Sequence, residues 1–228
     1  MNIILIGAPG SGKGSLSAIL CEQYNYVHIS TGNLVRDEIA KNTPLGKNMA
    51  KVINKGKLVD SETIYSLLNS SVKNAIKENK SIVFDGFPRT IEQAEYLSKI
   101  VDIELAIFLD CSEKTILNRL LTRRLCPKCG FTTNTRTDKQ AQKEICAKCG
   151  SKLVVREDDN IDTITNRFQI FNNNNAPILR YYGDKKLLIK INANKNINYM
   201  AKVISQIMEF YKLKEMPFIF KKFGYDPN

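Results

Sequence analysis

Apolar residues fall in short uninterrupted runs separated by longer amphipathic stretches. Ile3 to Ile6, Ile82 to Phe84, Ala106 to Leu109 and Leu187 to Ile191 predict strands buried on both faces, with a shorter candidate at Tyr26 to Ile29. Between them, helical periodicity occupies roughly residues 13–24, 61–77, 90–100, 112–124, 161–175 and 197–212. Alternation of this kind predicts an α/β fold, a five-stranded parallel sheet with helices on both faces.

Two stretches break the rhythm. Residues 31–60 carry helical segments with no strand between them, and residues 125–160 hold cysteines, few apolar residues and many polar turn formers. Both are expected as excursions from one core built of 1–30, 61–124 and 161–213. The tail, 214–228, contains Phe218-Ile219-Phe220-Lys221-Lys222-Phe223; packing on the core, fraying and contact with a partner are all open for it. The only low-complexity run is Asn172 to Asn175, and no internal repeat occurs.

A chain of 228 residues with 43% apolar content supports one substantial core with room for an inserted subdomain. The N-terminus opens as a buried strand without a basic leader, and no run of about eighteen apolar residues occurs, so a soluble, cytosolic protein with no membrane partner is expected. The net charge of +11 suits nucleic acid, small polyanions or plain solubility. Its distribution is more telling: lysines are scattered, whereas Arg36, Arg89, Arg119, Arg123, Arg156 and Arg167 fall in the segments that carry motifs. A phosphate cage fits that better than a groove-binding stripe, and no nucleic-acid partner is expected.

Gly7-Ala8-Pro9-Gly10-Ser11-Gly12-Lys13-Gly14-Ser15 follows a predicted strand and opens a predicted helix, the context a phosphate-binding loop requires. Backbone N–H groups freed by Gly10 and Gly12 would turn inward on phosphate oxygens beside Ser11, and Lys13 would reach the transferred group. Ser15 is the candidate for the Mg²⁺ side. Gly14 stands where the general pattern has Ser or Thr.

Further blocks follow: Ser30-Thr31-Gly32-Asn33-Leu34-Val35-Arg36, then Gly56-Lys57-Leu58-Val59, then Asp85-Gly86-Phe87-Pro88-Arg89-Thr90 with Gln93. Arg36 and Arg89 are planar forks suited to a monophosphate, and Asp85 ends a strand where a metal ion held through water would sit. In this order the blocks resemble the adenylate kinases across residues 1 to about 212. The resemblance implies a P-loop kinase fold, with residues 31–60 as an AMP-binding subdomain and 125–160 as a lid. It places Thr31 beside the AMP base, Leu58 and Val59 along its pocket with Gly86, and Gln93 on the adenine edge. Asn33 departs from the aspartate usual for the family, which removes a negative charge near the reaction centre.

Cys126-Pro127-Lys128-Cys129-Gly130 and Cys146-Ala147-Lys148-Cys149-Gly150 give C-x₂-C-x₁₆-C-x₂-C, a zinc-ribbon spacing. Four cysteines leave no open position, so the expected Zn²⁺ is structural; each following glycine is expected to let N–H groups turn toward sulfur. The lone Cys21 and Cys111 read as core residues. Arg119 and Arg123 are expected on one helix face, and Arg156 and Arg167 flank Asp158 and Asp159, which would hold the arginines or help order the lid. Lid closure would bring these four arginines onto the β- and γ-phosphates and the transferring group, where Lys13, Arg89, Arg123, Arg156 and Arg167 are the expected catalytic set. The resemblance further implies that Arg119 stacks on the ATP adenine.

The acceptor oxygen is already ionised at neutral pH, so no general base is needed, and the only histidine, His28, reads as structural. The expectation is direct in-line transfer from Mg·ATP to AMP, giving two ADP, by a monomer. Two other readings stay open. One is an ATPase that binds nucleic acid through its ribbon. The other is a sister kinase acting on UMP or CMP, or a member made inactive by Asn33.

Overall fold

A computed structural model of the chain describes residues 1–225. In chain order the first half holds β1 (Ile3–Ile6), α1 (Lys13–Tyr24), β2 (Val27–Ser30), α2 (Thr31–Ala40), α3 (Pro44–Ile53), α4 (Ser61–Lys77), β3 (Ile82–Asp85), α5 (Ile91–Ile100) and β4 (Leu105–Asp110). The second half holds α6 (Glu113–Leu121), β5 (Arg123–Leu125), β6 (Thr132–Asn134), α7 (Lys139–Gln142), α8 (Ile161–Asp184), β7 (Leu188–Asn192), α9 (Ile197–Lys212) and α10 (Met216–Phe223).

Five of these strands form one parallel sheet in the order β2-β3-β1-β4-β7. The apolar runs explain why both faces are covered. Ile4, Ile6, Ile82, Phe84, Ala106 and Phe108 point into one core with α4, α5 and α8. Their neighbours Ile3, Leu5, Val83, Leu105, Ile107 and Leu109 point into a second core with α1 and α9. The period-2 alternation of a strand thus divides continuous hydrophobic runs between two layers of helices. The C-terminal end of β1, between β3 and β4, is the switch point where such sheets bind ligands.

Two predicted helices differ from expectation. The helix predicted over 112–124 stops at Leu121, so Arg119 and Arg123 do not share a helix face. Asn134 explains the stop: its Nδ2 donates to the Arg119 carbonyl at 3.0 Å and to Thr122 Oγ1 at 2.7 Å. Arg123 to Leu125 then pair antiparallel with Thr132 to Asn134. The helix predicted over 161–175 instead runs to Asp184 through Asn172 to Asn175 and Pro177, because Ile178, Leu179 and Tyr182 bury against the sheet.

The tail packs on the core. Ile219 is fully buried among α9 and β7 residues, Phe218 lies on Phe210, and Gly224 bridges Ile189 along the outer edge of β7. Residues 226–228 of the predicted tail lie outside the described residues. Among the described residues, no helix is long and apolar enough to cross a membrane.

Candidate active site

The loop from β1 to α1 is shaped by left-handed backbone. Gly12, at φ 106°, is the N-cap of α1 and has no side chain with which to cap it, and the first helical hydrogen bond runs from Leu16 N–H to the Gly12 carbonyl at 3.0 Å. The earlier N–H groups of the turn, together with the helix dipole, make an anion seat. Lys13 folds back over the loop, donating to the carbonyls of Gly7 at 2.8 Å and Ala8 at 3.0 Å. Burial is the main cause that pulls its pKa down to about 8, only partly countered by the charge of Asp85. Ser11 is fully buried and its hydroxyl has no partner among the described residues, whereas Ser15 is exposed.

Asp85 ends β3 in register with Leu5 of β1, which brings its carboxylate beside the loop. A side chain at Gly14 would place its Cβ 3.9 Å from Asp85 Oδ2, so this glycine lies against the carboxylate. Burial pushes the Asp85 carboxyl up, but His28, Lys13 and Arg89 together hold it below the ordinary range. His28 Nε2 lies 3.4 Å from Asp85 Oδ2, so the histidine read as structural faces the site. Its position in an edge strand gave no hint of this.

Arg119, at the last turn of α6, reaches the carbonyl of Ser11 at 3.4 Å and that of Lys195 at 3.0 Å. It ties the phosphate loop to the β7–α9 connection. Cys111 and Cys21 are half-buried rather than core residues, and the Cys111 sulfur lies 3.6 Å from Arg119 Nη1.

On the other side, Thr31 Oγ1 and Arg89 Nε both donate to the Gly86 carbonyl, at 2.8 and 2.7 Å. Gly86 sits at φ 76°, and a Cβ there would come within 2.9 Å of the Arg89 guanidinium and 3.0 Å of Thr31 Oγ1. Only glycine permits that approach. Asn33 Oδ1 accepts from Arg36 Nη2, so this amide orients an arginine. Gln93 is buried, with its side chain bonded to Arg89 N–H and Ser61 Oγ. Leu58 and Val59 are half-buried in the approach to α4.

Between these two sides the arginines converge. Burial lowers the pKa of Arg36, Arg89 and Arg156, and mutual repulsion adds to it: Arg36 feels Arg123 and Arg167, Arg89 feels Arg167 and Arg36, and Arg156 feels Arg123 and Arg36. Arg156 falls to about 10. Two carboxylates hold the group in place. Asp159 takes both Nε and Nη2 of Arg123, while Asp158 Oδ2 accepts from Arg167 at 2.6 Å and its Oδ1 lies 3.6 Å from Arg156 Nε. Arg156 Nε is buried with no hydrogen-bond partner among the described residues. Five guanidiniums beside two carboxylates leave an excess of positive charge.

The four ribbon cysteines converge, their Sγ atoms all within 4.8 Å of one another. Cys126 and Cys149 sulfurs are 3.4 Å apart, and those of Cys129 and Cys146 are 3.6 Å apart. Those spacings are too long for disulfides and close to the roughly 3.8 Å edge of a tetrahedron with Zn–S bonds of about 2.3 Å. The residues present therefore fit a tetrathiolate metal. Gly130 and Gly150 donate their own N–H groups to the carbonyls of Cys126 and Cys146, and as expected the N–H groups just past them, of Phe131 and Ser151, turn toward the sulfurs of Cys129 and Cys149. Around the cluster the core is minimal: Ala141, Leu153 and the edge of Phe131.

The sequence model described as "Adenylate kinase" matches residues 5–187. The chain belongs to the adenylate kinase family. The adenylate kinase of Pseudothermotoga lettingae is 35% identical over 214 residues, covering 92% of this chain and 98% of its own. That of Elusimicrobium minutum is 38% identical over 221 residues, covering 94% of this chain and 100% of its own. Membership makes the chain a phosphotransferase with adenylate-kinase-type chemistry.

Proposed function

We propose that the chain transfers the γ-phosphoryl group of Mg·ATP directly and reversibly to AMP, giving two ADP, and so maintains the adenine nucleotide balance. The observation that carries this is the cluster of Arg36, Arg89, Arg123, Arg156 and Arg167, of which Arg89 and Arg123 act on Lys13 at the start of α1. Phosphoryl transfer between phosphates needs position and neutralised charge rather than a base, and preorganised guanidiniums supply both.

ATP is assigned to Gly10, Ser11, Gly12, Lys13, Gly14 and Ser15, with Arg119 under its base and Arg123 on its phosphates. AMP is assigned to Thr31, Leu58, Val59, Gly86 and Gln93 for the base, and to Arg36, Arg89, Arg156 and Arg167 for the phosphate. The buried Arg156 Nε supports these assignments: among the described residues it has no hydrogen bond, only the 3.6 Å ion pair with Asp158, and a phosphate oxygen would satisfy it. Mg²⁺ arriving with ATP supplies further neutralisation, and Asp85 would hold it through water.

Residues 31–60 are taken as the AMP-binding subdomain, 125–160 as a lid stapled by structural Zn²⁺ on Cys126, Cys129, Cys146 and Cys149, and the rest as core. A cytosolic monomer is part of the same proposal. The deciding assay compares AMP, UMP, CMP and GMP as acceptors. ADP formed from AMP in strong preference supports the proposal; ATP hydrolysis stimulated by RNA with no transfer to AMP would reverse it.

A further inference from the structure

The Gln93 amide is half committed before any ligand arrives. Its Oε1 accepts from Arg89 N–H at 2.8 Å, and its Nε2 donates to Ser61 Oγ at 3.1 Å. Thr90 Oγ1 in turn accepts from Gln93 N–H at 3.3 Å, so Thr90 and Gln93 form a variant capping box at the start of α5. A side-chain amide has two lone pairs on oxygen and two N–H bonds. One of each is left.

The orientation of that remainder is fixed. A backbone N–H can only donate, so Arg89 keeps the oxygen on its side, and a flipped amide would set two donors face to face. We propose that Ser61 is a positioning residue for base selection: with Arg89 N–H, its hydroxyl pins the Gln93 amide so that one lone pair and one N–H are presented to the acceptor base. This rests on the assignment of Gln93 to the AMP base. Adenine offers an N6 donor beside an N1 acceptor, the complement of the free pair. Guanine offers O6 as acceptor beside N1–H as donor, the reverse order. A pinned amide therefore separates AMP from GMP, whereas a freely rotating one adapts to either.

The Ser61 hydroxyl is available for this task because α4 is already capped by its neighbour. Asp60 Oδ1 accepts from Thr63 N–H at 2.9 Å. One turn further along both helices the spacing is held by packing. Tyr65 stacks on Tyr96 with centroids 3.6 Å apart and planes at 9°, and Tyr96 OH donates to Asn69 Oδ1 at 2.8 Å. That seam of α4 on α5 keeps Ser61 opposite Gln93.

The test is Ser61→Ala in the full-length enzyme, with kcat and KM measured for AMP, GMP and ATP. The KM for AMP should rise about three- to tenfold, the scale of one net hydrogen bond, and the AMP-over-GMP ratio of kcat/KM should fall. The kcat with AMP and the KM for ATP should stay unchanged, and Ser61→Thr should restore both AMP values. An unchanged KM and ratio in Ser61→Ala overturns the role of Ser61, and an equal rise for AMP and GMP overturns the selectivity. Gln93→Ala separates the two levels. No effect on AMP there overturns the assignment of Gln93 itself, while a large effect beside a silent Ser61→Ala overturns only the positioning.

Discussion

Arg123 and Asp159 meet in a two-pronged fork where the chain enters and leaves the cysteine-bearing excursion, with Arg123 Nε donating to Asp159 Oδ2 at 2.7 Å and Nη2 donating to Oδ1. The Asp159 side chain is 1% exposed, so the guanidinium is aimed by a buried partner rather than by solvent. Lysine keeps the charge and loses the fork. Arg123→Lys should lower kcat by about 10²- to 10³-fold, the usual scale for one lost transition-state donor, while circular dichroism stays native. Turnover near the original value would remove Arg123 from the reaction centre.

Asp158 sets an acid limit on stability. Burial alone would raise its pKa, but Arg167 and Arg156 outweigh this and hold the carboxyl below its ordinary value. A carboxyl depressed on folding stabilises the protein fully above the unfolded pKa of about 3.9, and that contribution disappears as pH falls through the lower folded value. Melting temperatures of the original protein and Asp158→Asn should therefore run parallel from pH 7 to about pH 4, and the original protein should fall more steeply below that. Curves parallel throughout would show that the ion pairs add nothing on folding.

The ribbon has too few apolar residues to hold itself together, since Ala141, Leu153 and Phe131 are nearly all that surrounds the cysteines. Metal binding supplies the missing free energy in such small units. Removal of zinc by a strong chelator, or Cys126→Ser, should lower the melting temperature by several degrees. Metal analysis should give one zinc per chain before treatment. Identical melting with and without the chelator would argue against a metal staple.

Ile219 carries the docking of the tail, being fully buried between α9 and β7. Ile219→Ala should cost about 2–5 kcal/mol in denaturant unfolding, the range for a buried large-to-small change. The site lies elsewhere in the molecule, so KM for both nucleotides should not move. A loss below about 0.5 kcal/mol would mean that α10 is not held on the core in solution.

Much of the molecule could be read from its residues in order. Runs such as Ile3 to Ile6 were strands because four apolar residues in a row suit only a segment buried on both faces. The phosphate loop and the paired cysteines were legible for a related reason: their chemistry needs fixed residue types at fixed short spacing, and short spacing survives in one dimension. The end of α6 did not, because Asn134, far along the chain, accepts the task of closing that helix. Nor did the length of α8, where burial of Ile178, Leu179 and Tyr182 overrides an asparagine run and a proline.

Sequence alone thus determined the sheet, the phosphate loop, the arginine set and the ribbon, since local pattern and covalent spacing dictate them. Only the tertiary structure decided how those residues are aimed. His28 on Asp85 and Ser61 on Gln93 both join side chains through space. Such contacts depend on register and helix packing, where a shift of one residue would turn each side chain away.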